Sequence, residues 1–202
     1  MAQPESQREA LDIFRRHGGV LRTAQALELG IHPRTLYALH DAGLVERLAR
    51  GLYRLSELPP LTHPDLVMVA LKIPEGIICL ISALAFHNLT TQIPHIVDVA
   101  VQKGSRRPRL GYPPIRTFWF SGAAWAEGAA THELDGVPVS ITTPAKSVAD
   151  SFKYRLKLGR DVAIEALERL RRRDDFDVAA ILHYARVCRV EVIMRPYLEA
   201  LQ

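Results

Sequence analysis

Gly30 is the residue that most constrains what this chain can fold into. It stands between Leu29 and Ile31, four positions after Ala26, in the segment RTAQALELGIHPRTLYALH that begins at Arg22. Two short helices that cross tightly need a small residue at the crossing and a glycine that can take up left-handed backbone in the turn. They also need apolar anchors on both sides. Ala26, Gly30, Leu29, Ile31, Leu36 and Leu39 meet those needs, while Gln25 stands where the pattern is ordinarily apolar. The spacing predicts one helix from Thr23 to about Leu29. A second starts at His32-Pro33, where proline suits the first helical position, and runs to about Ala42. Upstream, Ala10, Leu11, Ile13 and Phe14 share a helical face from Ser6 to Arg16, which Gly18-Gly19 ends. Downstream, LVERLARGLYRL (44–55) reads as a β-hairpin turning at Ala49-Arg50-Gly51. Three helices and a hairpin predict a winged helix-turn-helix over residues 1–58.

Such a unit exposes the face of its third helix opposite Leu36 and Leu39. Helical spacing puts Arg34, Thr35 and Tyr37 outside, with Ala38 and Asp41 beside them. Arg34, near the helix start, suits a guanine edge, and Thr35 and Tyr37 suit a phosphate or a thymine methyl. Arg47, Arg50 and Arg54 on the hairpin, and Arg22 at a helix start, are placed for the sugar-phosphate backbone. These residues define an expected interface with double-stranded DNA. Charge restrains the expectation: residues 1–58 hold eight arginines against seven carboxylates, a net of +1, and the chain carries +4 overall. One copy should bind weakly, so two copies on a repeated or palindromic site are expected.

Leu58-Pro59-Pro60 marks a linker, and residues 61–202 read as a second domain. Helices are expected at about 64–72 and 82–87. Strands follow at 96–101, 115–120 and 137–142, and a helix opens at Thr143-Pro144 and runs to about Lys157. Three more helices are expected at about 161–172, 178–187 and 190–201. The fold class is therefore α+β: an N-terminal winged helix, then a domain with a small sheet and a helical C-terminal end.

Chemistry is sparse in this second part. There is no metalloprotease, phosphate-loop or dinucleotide motif, and the eight histidines lack metal-ligand spacing. Neither metal nor cofactor is expected, and the reading is of a protein that is not an enzyme. Ser82 and His87 lie five apart on one helix with no acid placed to complete a nucleophilic set. Asp98 and Lys103 are the residue types of a nuclease pair but have opposite strand parity. Cys79 and Cys188 read as small core residues in a reducing compartment. The polar start MAQPESQREA and the interrupted apolar stretch 66–89 argue for a cytoplasmic protein away from membranes. Two basic runs remain. Lys103, Arg106, Arg107 and Arg109 lie in an acid-free loop and are candidates for further phosphate or RNA contacts. The arginines of 169–173 are followed at once by Asp174, Asp175 and Asp177.

The RTAQALELGIHPRTLYALHDAGLVERLARGLYRL segment resembles the AbiEi family antitoxins of type IV toxin–antitoxin systems. Ile78 to Thr90, with Ser82-Ala83-Leu84 and His87, is similar to the helix that begins the family's second domain. VSITTPAKSVAD (139–150) is similar to its strand, Thr-Pro cap and helix ending in Asp. The resemblance implies a protein that binds inverted repeats in its own promoter and represses its operon. It further implies a second domain that counters a nucleotidyltransferase-like toxin without a stable complex. The alternative is a stand-alone winged-helix regulator whose second domain senses a partner or ligand. A DNA-acting enzyme targeted by the winged helix is a third reading.

Overall fold

The structure, a computed structural model, describes residues 4–200. Contacts divide it into two compact units, one comprising the chain up to Lys72 together with Glu133–Val137, the other Ile73–His132 and Pro138 onward.

The first unit runs α1 (Glu5–Arg16), β1 (Val20–Arg22), α2 (Thr23–Glu28), α3 (Pro33–Asp41), β2 (Val45–Ala49), β3 (Leu52–Leu55) and α4 (Pro64–Lys72). The three helices expected before the hairpin are present, each within a residue or so of its expected bounds. All three end in the same way. At α2 the Ile31 N–H donates to the Ala26 carbonyl (2.9 Å) and Gly30 to Leu27 (3.0 Å). This crossed pair is the Schellman arrangement, and it requires the left-handed backbone that Gly30 adopts at φ +91°. Gly19 after α1 and Leu44 after α3 close the equivalent bonds to Phe14 and Leu39. Glycine is thus the stop signal three times over in the first 43 residues.

β1 is an addition to the expected elements. Val20 and Leu21, directly after the glycine pair, add a third strand to the hairpin, giving the antiparallel order β1-β3-β2. Arg22 pairs with Leu52 and Val20 with Arg54. The sheet closes over α1 and α3 around Phe14, Leu21, Ala26, Leu36, Leu39 and Leu55, all essentially inaccessible to water. Gln25, the departure from the helix-turn-helix pattern, is exposed, so its polarity costs the core nothing.

The second unit holds a five-stranded mixed sheet, order β6-β5-β4-β8-β7, built from β4 (Ile77–Ile78), β5 (Val97–Gln102), β6 (Ile115–Phe120), β7 (Ala129–Leu134) and β8 (Val137–Thr142). Its helices are α5 (Leu80–Phe86), the short α6 (Ala123–Ala126), α7 (Pro144–Lys153), α8 (Arg155–Leu158), α9 (Arg160–Arg171), α10 (Val178–Val187) and α11 (Glu191–Glu199). The small sheet and helical C-terminal end agree with the α+β expectation. β4, α6 and β7 are additions, and the helix expected to Lys157 breaks at Tyr154 into α7 and α8. The expected end of the last helix, Leu201, lies outside the described residues.

α7 is the centre of this unit: every residue from Lys146 to Phe152 is buried. Val148, Ala149 and Phe152 join a core made with α9, α10 and Met194 of α11. Its polar residues find partners inside. Lys146 Nζ lies 2.6 Å from Asp150 Oδ2, with both side chains fully buried. Cys188 Sγ donates to Asp150 Oδ1 at 3.1 Å, and Lys146 also sits over the Phe120 ring, 4.7 Å from its centroid. Cys188 is therefore more than a small apolar filler.

Candidate nucleic-acid interface

The first unit assembles its exposed cations by local rules. Arg22 is both the last residue of β1 and the residue before α2, and the next residue, Thr23, donates its N–H to the Gly51 carbonyl (2.8 Å). That bond ties the start of α2 to the hairpin turn, so Arg22 and Arg50 lie at one end of the unit. Arg50 fills the turn between β2 and β3, beside Gly51, whose φ of +74° at the second central position is left-handed backbone that glycine adopts without strain. At α3, His32 caps the helix by accepting the Arg34 N–H on Nδ1 (3.2 Å). Spacing marks His32 only as the start of a helix. With Pro33 next, it fixes the first turn that carries Arg34 and Thr35.

Pairing separates the arginines into two groups. Arg15 is neutralised by Asp12 and Glu57, each at 2.9 Å. Arg54 is a correction to the expected interface. Only 4% of it is accessible, and its guanidinium pairs with Glu46 (2.8 Å) and donates to the Pro59 carbonyl. All four residues of β3 are buried, and with its guanidinium taken up by Glu46 and the Pro59 carbonyl Arg54 is not available to a phosphate. Arg22, Arg34 and Arg50 are exposed and make no side-chain hydrogen bond or ion pair among the described residues. Arg47 is exposed and donates only to the Ala49 carbonyl (3.2 Å). Tyr37, 57% exposed, projects from α3 although it is a large ring, and Thr35 is half-buried beside it. Six of the seven expected residues are thus accessible, and their cations are unneutralised.

In the second unit Lys103, Arg106, Arg107 and Arg109 are likewise exposed and unpartnered among the described residues. Two arginines of the other basic run are spent internally. Arg169 pairs with Glu165 (2.8 Å), while Arg173 pairs with Asp175 (2.7 Å) and donates to the His87 carbonyl (3.1 Å). The residues weighed for catalysis are also occupied. Ser82 Oγ accepts the Asp98 N–H at 2.9 Å, whereas His87 Nε2 bonds the Thr142 carbonyl at 2.7 Å, so the two side chains serve different partners. Asp98 is buried and held by a bidentate bond from Arg116 (2.7 and 3.0 Å). Burial pushes its carboxyl above the usual range, opposed by Arg116. No group of three or more candidate metal ligands forms among the described residues.

The first unit is thus a compact helical unit with a small antiparallel sheet, and one capped helix and a hairpin turn are among its parts that carry unneutralised cations. The sequence comparison adds to this. Residues 8–56 match the family model described as "Transcriptional regulator, AbiEi antitoxin", which points to a transcriptional regulator or antitoxin. The match runs from within α1 through β3 and includes all seven expected interface residues of the first unit. No curated protein matches the chain.

Proposed function

We propose that residues 1–58 form a winged helix-turn-helix that binds double-stranded DNA, with α3 in the major groove and the β2–β3 hairpin as the wing. Arg34 reads a base edge, Thr35 and Tyr37 contact bases or phosphate from the same helix, and Arg22, Arg47 and Arg50 hold the backbone. The observation that carries this reading is the partition of charge. Arg15 and Arg54 are cancelled within the unit, whereas the arginines on α3, at the start of α2 and in the hairpin turn meet no carboxylate; Arg8 and Arg16 on α1 are also free of one and lie outside the assigned face. In the reading we favour, residues 61–202 form an antitoxin domain. The protein would act in the cytoplasm, without catalytic chemistry of its own, as the antitoxin of a type IV system. It represses its own operon through inverted repeats and counters a nucleotidyltransferase-like toxin without a stable complex.

A mobility-shift assay on the upstream region tests the DNA half. Arg34→Ala and Arg50→Ala together should weaken binding at least tenfold, since a base contact of this type is worth about 1–3 kcal/mol and a phosphate contact adds to it. Undiminished binding by the double variant would remove the assigned face. Co-expression with the neighbouring gene tests the other half: the full chain should rescue growth and a truncation after Leu58 should not. The family match ends at residue 56 and does not enter the second unit. That favours keeping a second reading, a stand-alone regulator, which a genome neighbourhood without a nucleotidyltransferase-like gene would select.

A further inference from the structure

The connection from β5 to β6 is unusual for its chemistry. The two strands are parallel, with Val97 beside Ile115 and Gln102 beside Phe120. The chain must therefore travel back along the whole strand length between them. A helix commonly makes such a crossover, but here twelve residues without regular structure do it (103–114), at the edge of the sheet that β6 forms. Loops of that length without secondary structure of their own are commonly functional. The return path distributes Lys103, Arg106, Arg107 and Arg109 along the way, and all four are exposed and unpartnered among the described residues. Elsewhere in this unit Arg116, Arg169, Arg173, Arg186 and Arg195 each meet a carboxylate, and the arginines that meet none, such as Arg160, Arg172 and Arg189, are not gathered in one loop.

Aromatic rings accompany these cations. Along β6, Phe118 and Phe120 face inward, so parity turns Trp119 outward, where it is 42% exposed. Its Nε1 donates to the Ser105 carbonyl (3.2 Å), which holds the indole against the basic loop. The loop base is fixed in turn by the Lys103 N–H to the Phe120 carbonyl (2.7 Å). Tyr112, 68% exposed, ends the basic stretch. Beneath the loop lies a cavity of about 330 Å³ whose lining includes Trp125, Arg106, Pro108, Gln102 and Glu75. An indole, a guanidinium and two polar side chains with amide and carboxylate groups suit the face and edge of a planar, hydrogen-bonding ring.

We infer that the 103–114 crossover, with Trp119 and Trp125, is a binding site for single-stranded nucleic acid, distinct from the duplex-binding face of the first unit. The loop cations follow the phosphates, and unpaired bases stack on the indoles. A duplex fits these features poorly, because its base faces are already stacked and closed to an indole. The inference does not rest on the proposed winged helix, which carries no tryptophan.

The chain has two tryptophans, Trp119 and Trp125. Intrinsic tryptophan emission of the full-length protein therefore reports on this site and not on residues 1–58. Titration at low salt with a twelve-nucleotide oligo(dT), an oligo(rU) of equal length and a duplex of equal length tests the inference. Either single strand should quench the emission saturably, and raising the salt from about 50 to 200 mM should weaken the effect strongly. Quenching by one strand and not the other assigns the natural ligand to DNA or RNA, and equal quenching makes the site indifferent to the sugar. Arg106→Ala with Arg107→Ala should lower the affinity about tenfold or more, and Trp119→Phe should remove part of the quench. Both variants alter exposed positions, and circular dichroism should show both folded like the wild type. Absence of quenching by both single strands, equal quenching by the duplex, or quenching insensitive to these substitutions would overturn the inference.

Discussion

His87 shows how a residue flagged for its chemistry can be structural and still make a pH-dependent mark. Burial pushes its pKa below the ordinary histidine value, with the Thr142 carbonyl opposing and His132 and Arg173 adding to the depression. The unfolded chain takes up a proton near pH 6.5 that the folded chain refuses. The stability contributed by neutral His87 is therefore present above that pH and is lost as pH falls through it. Urea unfolding of the wild type and of His87→Gln at pH 7.5 and pH 5.5 should show the gap between them narrowing at the lower pH. A gap independent of pH would show that the ring is not held neutral. Lys146 and Asp150 pose the complementary case. Burial raises the Asp150 carboxyl, and Lys146 and the Cys188 thiol draw it back. Asp150→Ala leaves a buried ammonium without its counter-charge and should cost about 3–5 kcal/mol. Lys146→Met combined with Asp150→Leu should recover most of that loss, because a well-packed apolar pair replaces the ion pair without stranding a charge. Equal losses in the single and double variants would mean that packing and not charge sets the cost.

Among the elements, the α2–α3 turn is the one whose geometry the residue types dictate most fully. Ala26 is inaccessible at the crossing, so Ala26→Leu should overpack it by about 1–3 kcal/mol. Gly30 is different: a Cβ there would meet no atom within 4 Å, yet φ is +91°. Gly30→Ala should therefore cost only the backbone strain, about 1–2 kcal/mol, read as a lower urea midpoint at unchanged m. A loss above that range would mean neighbours had moved. The same pattern explains what is legible in the sequence. Helices α1 to α3, the hairpin, β5, β6, β8, α9 and α10 carry their own periodicity, caps or β-branched runs. β1 and β4 are three and two residues long and are strands only because β3, β5 and β8 pair with them. β7, AATHEL, has no run of strand-forming residues, and its definition comes from its neighbour β8. Arg54 departs from its expected place for a related reason. Alternation predicts one outward face for a hairpin strand, but both faces of β3 are covered, and Arg54 lies directly opposite Glu46 in a register visible only in the folded sheet. The exposed set on α3 is legible because Leu36 and Leu39 fix the helix phase, whereas the capping role of His32 depends on a side-chain contact that spacing alone does not show.

For the whole molecule, the low net charge acquires a sharper meaning once the internal pairs are known. The proposed face carries four free cations, Arg22, Arg34, Arg47 and Arg50, and the carboxylates nearest in sequence are spent partly on other arginines, as Glu46 is on Arg54. If each cation displaces one counterion, log K against log salt should fall with a slope of about −4 for one copy, and roughly twice that for two copies on an inverted repeat. Binding measured by anisotropy across a salt series, on a half-site and on the full repeat, separates these cases. Arg50→Ala should reduce the slope by about 1 per bound copy and weaken all sequences alike. Arg34→Ala should instead relax discrimination at one base position. If both variants changed only the slope, α3 would be a backbone contact and sequence would be read elsewhere. If the full repeat gave no steeper slope than the half-site, the second copy would contribute nothing, and the weak single-copy charge would have to suffice.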